Sequence, residues 1–304
     1  MTDRPTHLSD HDLVTLRRRL HEVPEIGLDL PMTQALVLDA LDGLDLEITL
    51  GRQLSSVVAV LRGRAGADGL RPVVLLRGDM DALPVTEEVD HPWASTHPGV
   101  MHACGHDLHV AGLVGAAHRL HERRHELAGD VVFMFQPGEE GPGGADLMIE
   151  EGLLEVAGRR VDAAYAVHVF SAEHPLGTWF GRPGPLMAAA DEVTITVHGD
   201  GGHGAAPHRT KDPVPVACEI VLALQAMVTR QFDAFDPVVV TAGRIVGGTK
   251  ENIIPDDAHI DLTVRTFSKT NHDQVPERIE RLARGIAEAH GVRAEVNYVP
   301  GYPV

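Results

Sequence analysis

An α/β fold in two parts is expected for this chain: an open, mostly parallel sheet domain over residues 1–188, then a ferredoxin-like βαββαβ domain over residues 189–304. Three observations predict it. The apolar runs PVVLLR (72–77), VVFMF (131–135) and AAYAVHV (163–169) alternate with helical patterns, and each ends near acids or a histidine. Strands of an open α/β sheet behave this way when their carboxyl ends line a crevice. A composition shift at GRPGPLMAAA (181–190) marks a domain boundary. Beyond it the patterns run strand, helix, strand, strand, helix, strand, the order of a four-stranded sheet covered by two helices.

The elements follow in order. Ser9, with Asp12 three residues on, opens an apolar pattern at Leu13, Leu16 and Leu20, a capped amphipathic helix that ends in HEVPEIG (21–27). Pro31 suits the first turn of a second helix carrying Ala35, Leu36 and Leu41. Residues 46–50 and 57–61 read as strands. PVVLLR has the continuous apolarity of a strand buried on both faces, and it runs into GDMDALP, delivering Asp79 and Asp81 to its C-terminal rim. A helix is expected over 107–122, with Val110, Leu113, Val114, Ala117 and Leu120 on one face. The strand 131–135 ends in FQPGEEG, where Glu139 and Glu140 are adjacent. A helix over 144–154 and a strand over 163–169, with His168 near its end, complete the first domain. The second is expected to hold strands 192–198, 238–246, 258–267 and 293–299 and helices 212–230 and 272–290.

Composition narrows the function. A chain of 304 residues with 43% hydrophobic content can bury a core in each of two domains. Its net charge of -18 argues against nucleic acid or an anionic membrane as partner, because phosphate binding needs a basic face. Cys104 and Cys218 offer no disulfide framework, and the polar opening MTDRPTHLSD lacks the apolar core of a secretory signal, so a reducing cytoplasm is expected. No apolar run approaches the roughly 20 residues that span a bilayer.

The densest chemistry lies in MHACGHDLH (101–109). Cys104 and His106 flank Gly105, whose backbone can bend so that both donor atoms reach one point, while His102, Asp107 and His109 stand within reach of that point or its surroundings. Alone, the run also has a lesser reading as a helix N-terminus capped by Asp107 among solvated histidines, and a structural zinc module fits less well still, because the paired-cysteine knuckle of such modules is missing. His168 alone can be a satisfied core histidine. Together with Asp79, Asp81, Glu139 and Glu140 at the ends of the same sheet, these residues form a donor set of imidazole, carboxylate and thiolate that suits zinc or manganese, with room for two ions. Adjacent side chains leave the backbone in different directions, so one of Glu139 and Glu140 can bind metal while the other works as a base.

The runs RRRLHEVPEIG (17–27), RGDMDALP (77–84), GVMHACGHDLH (99–109), FQPGEEGPGGADLMIEEG (135–152), GDGGHGAAPH (199–208) and GGTKENIIP (247–255) resemble, in collinear order, the amidohydrolase branch of the aminoacylase and carboxypeptidase superfamily of dinuclear metallopeptidases. Hippurate hydrolase, auxin-conjugate hydrolases and N-acyl-amino-acid amidohydrolases belong to that branch. The resemblance implies a metal-dependent hydrolase of N-acyl amino acids with two divalent ions per complete site. It implies metal ligands at Cys104, His106, Glu140 and His168, a general base at Glu139, and an orienting role for Asp81. It further implies a homodimer in which His203 reaches the partner subunit's site and polarises the scissile carbonyl, with Asn252 and Arg265 contacting substrate and Arg265 clamping its carboxylate. Without the resemblance, 199–204 reads as a flexible turn and Arg265 as a surface strand residue. One departure within the motifs is Gly138, where many relatives carry alanine.

The same resemblance implies further catalytic strands and a last histidine ligand beyond Val304. A chain ending there is expected to be a poor enzyme, with one ion under-coordinated and an unpaired sheet edge. The competing reading is therefore a catalytically impaired relative acting as a dimerising or ligand-binding protein. The sequence leaves the acyl group, the preferred amino acid and the metal open.

Overall fold

A computed structural model describes residues 8–66, 70–141, 143–171 and 174–304. Residues 1–7, on which the reading of a polar opening partly rests, lie outside the described residues. The chain divides into two compact units, Met1–Leu176 and Gly177–Val304.

In the first unit, α1 (Asp10–Glu22) starts on a capping box: the Ser9 side chain accepts from the Asp12 amide while the Asp12 carboxylate accepts from the Ser9 amide. α2 (Pro31–Leu41) has proline in its first turn, and the Glu25 carboxylate accepts from the free amides of Met32 and Thr33 at 3.2 and 2.8 Å. The chain continues through β1 (Glu47–Leu50), β2 (Val57–Leu61), β3 (Val73–Asp79), α3 (His106–Glu122), β4 (Asp130–Gln136), α4 (Gly144–Glu150) and β5 (Ala163–Ala166). The sheet order is β1-β2-β4-β3-β5. β3 is parallel to both β4 and β5, whereas β2 is antiparallel to both β1 and β4, so the sheet is mixed with β2 alone reversed. Leu20, Leu41, Val110 and Val114 from α1, α2 and α3 cover one face of Val57, Phe133 and Phe135, and Met148 and Leu153 close the other over Val60 and Val132. Every residue of β4 is buried, as a central strand with both faces covered requires.

Two expected elements are shorter. The helix over 144–154 breaks at Gly152, whose φ of +98° is left-handed, leaving α4 and a separate 3-10 turn at Leu153–Glu155. β5 stops at Ala166: among the described residues it is an edge strand paired only with β3, from Ala163 to Ala166, and its Tyr165 is 62% exposed. His168 therefore lies in the loop after the strand rather than on it. The parallel strands β3, β4 and β5 still end along one edge, where α3 begins.

The second unit comprises β6 (Ala189–His198), β7 (Gly202–His203), α5 (Pro213–Gln231), β8 (Val238–Gly247), β9 (Ile253–Ile254), β10 (Asp257–Thr266), α6 (Lys269–Ala289) and β11 (Arg293–Val299). Its four-stranded sheet, β11-β6-β10-β8, is antiparallel throughout, with α5 and α6 on one face, where Ile220 and Leu224 of α5 and Ile279 of α6 share a core with Ile195, Ile260 and Val264 of the strands. This is the ferredoxin-like arrangement. α6 starts three residues before the expected position because the Ser268 side chain caps it through the Asn271 amide. Contrary to the sequence reading, α5 is long and apolar enough to cross a membrane by length and composition; its Val216, Ile220, Leu224 and Met227 are buried in the core of this unit.

Candidate metal centre and active site

The site is built on the turn into α3. Gly105 has φ +86°, and a Cβ there would come within 2.6 Å of the Val169 side chain, so both the turn and the close approach require glycine. The turn sets Cys104 beside His168, with Sγ and Nε2 3.3 Å apart, and makes His106 the first residue of the helix. Ligand-capable atoms of Cys104, His106 and His168 lie within 4.8 Å of one another, as do those of His106, Glu139 and Glu140. His106 belongs to both groups.

Asp81 ties these pieces together. Its backbone carbonyl accepts from His106 Nδ1 at 2.8 Å, while its two carboxylate oxygens accept from the amides of Glu139 and Glu140, each at 3.0 Å. Burial alone would raise the Asp81 pKa, but the His106 ring and these two amides hold it below the usual range. The loop makes this contact by way of Gly138 at φ +69°, a conformation in which glycine is at ease and alanine is strained.

With Nδ1 occupied, His106 Nε2 points inward. It is buried without a hydrogen-bond partner among the described residues, and oxygens of Asp79, Glu140 and Glu139 surround it at 3.5, 3.8 and 4.0 Å. Those spacings are too long for good hydrogen bonds and close to the about 3.3 Å between neighbouring ligands of a tetrahedral ion with 2.0–2.1 Å bonds. Although burial opposes it, the surrounding Asp81, Cys104 and Asp79 push the His106 pKa up to about 11. The pocket thus favours a positive charge at this nitrogen, and a divalent cation competes there with a proton. The orphaned nitrogen, the thiol and the carboxylates fit a divalent metal ion. Burial, then the charges of Asp79 and Glu140, raise Glu139 above the ordinary carboxylate range, in the direction that suits a proton-transfer group.

Asp107 neither caps the helix nor belongs to either group around His106. The N-cap is Gly105, and the buried Asp107 carboxylate accepts from His21 Nδ1 at 2.7 Å and pairs with Arg17 Nε at 2.9 Å. His21 Nε2 meets Glu87 at 3.0 Å, and Glu87 also accepts from His91 Nε2 at 2.8 Å and from the Ser95 amide at 2.7 Å. Nothing local in the sequence marks His21, Glu87 and His91, because HEVPEIG carries only a helix-end signal and these contacts span up to 86 residues.

His102 is buried, and neither ring nitrogen has a partner among the described residues. Burial pushes its pKa down to about 4. A group whose folded pKa lies below its unfolded value near 6.5 supplies stability that is complete above pH 6.5 and lost as pH falls towards 4. About 3 kcal/mol is expected to disappear over that window. Urea unfolding of the metal-free chain at pH 7 and pH 4 should therefore show a smaller acid loss in His102→Leu than in the parent. Equal losses would contradict this account of His102.

The second unit brings two of its expected residues together. β7 pairs with β9 in a short ribbon, His203 lies opposite Ile253, and the Gly204 amide donates to the Asn252 carbonyl at 2.8 Å, so the exposed His203 and Asn252 are neighbours. His203 Nδ1 accepts from the Ala205 amide at 3.1 Å. Arg265 lies on β10, between Ala190 of β6 and Val239 of β8, on the sheet face opposite the helices.

Known proteins resemble both the sequence and the fold. The model of peptidase family M20/M25/M40 matches residues 75–296. The N-acetylcysteine deacetylase of Bacillus subtilis (strain 168) is 40% identical over 304 residues, covering 100% of this chain and 77% of that protein. An N-acyl-L-amino acid amidohydrolase of Geobacillus stearothermophilus is 37% identical over 295 residues, covering 96% of this chain and 76% of its own length. The crystal structure of the Bacillus subtilis YXEP protein, described as a dinuclear metal binding peptidase from the M20 family, superposes with TM-score 0.79 at 37% identity, covering 96% of this chain and 74% of that one.

Proposed function

Because the chain belongs to peptidase family M20/M25/M40, we propose that it is a metal-dependent amidohydrolase that splits an N-acyl amino acid into a carboxylic acid and a free amino acid. The observation that carries this reading is the orphaned His106 Nε2, held inward by Asp81 and ringed by a thiol, an imidazole and carboxylates. Cys104, His106, Glu140 and His168 hold divalent cations, two in the complete site, zinc or manganese by the softness of the donors. When bound, the cations supply Lewis acidity that polarises the amide carbonyl and acidifies water.

The chain's own residues do the rest. Glu139 takes a proton from the attacking water and returns it to the leaving amine, a role helped by a pKa already raised by burial and by Asp79. Asp81 holds Glu139 and Glu140 through their amides and His106 through its own carbonyl, so base and ligands keep fixed relative positions. His203 serves the site of a partner subunit in a homodimer formed through the second unit and donates to the oxygen that becomes negative as water adds. Asn252 and Arg265 bind the substrate, Arg265 through its free carboxylate. The free thiols of Cys104 and Cys218 accord with a cytoplasmic protein.

Hydrolysis of N-acetyl and N-benzoyl amino acids tests the reading. Turnover should vanish on chelation and return with zinc or manganese. Substrates whose α-carboxylate is amidated should react at least about tenfold more slowly, since a charge-assisted contact is lost. A metal-stripped protein that keeps its rate would refute the metal-dependent reading.

A further inference from the structure

His168 is a candidate ligand with no strand or helix to support it. It follows the edge strand β5, whose ladder ends at Ala166, and neighbouring Val167 is 52% exposed. A series of side chains holds its loop instead. Arg77 pairs with Asp79 at 2.5 Å, Asp79 Oδ1 accepts from His109 Nδ1 at 2.5 Å, and His109 Nε2 accepts from the Val169 amide at 3.0 Å. The Val169 carbonyl in turn accepts from His168 Nδ1 at 2.7 Å.

The direction of each proton is forced. A peptide N–H can only donate, so His109 uses its Nε2 lone pair on Val169, its proton sits on Nδ1, and Asp79 receives it. A peptide carbonyl can only accept, so the His168 proton sits on Nδ1 and the Nε2 lone pair is left facing Cys104 Sγ. Asp79, His106 and His109 lie close enough together to hold an ion, but His109 has no lone pair left to offer one. Val169 is gripped a third time, because its side chain packs on Gly105, where even a Cβ would intrude to 2.6 Å.

We propose that His109 is a positioning residue: backed by Asp79 and Arg77, it pins the Val169 peptide and thereby aims His168 Nε2 at the metal centre. The proposal rests on reading His168 as a metal ligand. It assigns no chemistry to His109 itself, which acts only through the loop.

Two polar variants separate this role from general stability. His109→Asn keeps a donor for Asp79 but is too short to reach the Val169 amide, whereas His109→Gln carries an acceptor out to the Nε2 position. Zinc affinity, measured by competition with a chelating dye in the parent and His168→Ala backgrounds, is the readout, with metal-free thermal melting followed in parallel. His109→Asn should weaken zinc binding by about 10- to 100-fold, the usual effect of losing a partner that orients a ligand, and His109→Gln should restore most of it. In the His168→Ala background both substitutions should change affinity less than about threefold, since the ligand they aim is gone. Equal weakening by Asn and Gln, no weakening by Asn, or an undiminished Asn effect without His168 would each overturn the positioning role. If His168→Ala alone leaves zinc affinity unchanged, the ligand reading itself fails, an outcome distinct from the other three.

Discussion

Replacing Glu139 by glutamine is expected to lower kcat by about 10²-fold or more while bound metal stays at the parent level, because a positioned proton-transfer group contributes on that order. The substitution removes the carboxylate but keeps the amide that donates to Asp81, so the loop between β4 and α4 retains its anchor. Glu140→Gln keeps its amide contact in the same way, yet should lose metal, since its side chain faces His106 Nε2 as a ligand-capable oxygen. Both acids face His106 Nε2 at similar distances, and it is the raised pKa of Glu139, caused by burial and the charges of Asp79 and Glu140, that suits it to exchange protons. Elemental analysis and steady-state kinetics on the two variants test the division. Equal metal loss in both would contradict it.

Mixing two inactive variants should restore activity. His203→Ala removes a donor to the developing oxyanion and is expected to cost about 10²- to 10³-fold in kcat. If His203 serves the partner subunit's site, a heterodimer of His203→Ala and Glu139→Gln chains contains one site with both residues intact. Random exchange of subunits then rebuilds about a quarter of the sites, well above either variant alone. His203 and Asn252 sit together on the β7–β9 ribbon, so Asn252→Ala should complement Glu139→Gln in the same manner. No recovery on mixing, together with light scattering from a monomer, would refute the role in trans.

Much of this architecture is legible in the sequence because its cause is local. The strands β3 and β4 announce themselves as apolar runs, Ser9 and Asp12 specify the start of α1, and the pattern of the second unit needs only period and turn signals. The convergence of Cys104, His106, Glu139 and Glu140 follows from parallel strands ending on one edge. What was not legible depends on partners distant in sequence. β5 is short, with β3 its only neighbour among the described residues, a fact of sheet order that the run AAYAVHV does not carry. Asp107 is taken by His21 and Arg17, and His109 by Asp79 and Val169, so two residues that sequence alone offers as spare ligands are committed elsewhere. Their chemistry was visible, but their hydrogen-bond partners were not.

Zinc X-ray absorption on the loaded 304-residue protein separates a metal centre built on Cys104 from a solvated helix terminus, because a thiolate ligand has a distinct signature. Cys104 is the proposed ligand least expected of a merely solvated helix terminus, and the other free thiol, Cys218, is exposed on α5 in the second unit. The account requires a sulfur scatterer at about 2.3 Å beside nitrogen and oxygen at about 2.0 Å. That sulfur should disappear in Cys104→Ser and persist in Cys218→Ser. A shell of nitrogen and oxygen alone in the parent, or a sulfur signal that survives loss of Cys104, would contradict the metal centre described here.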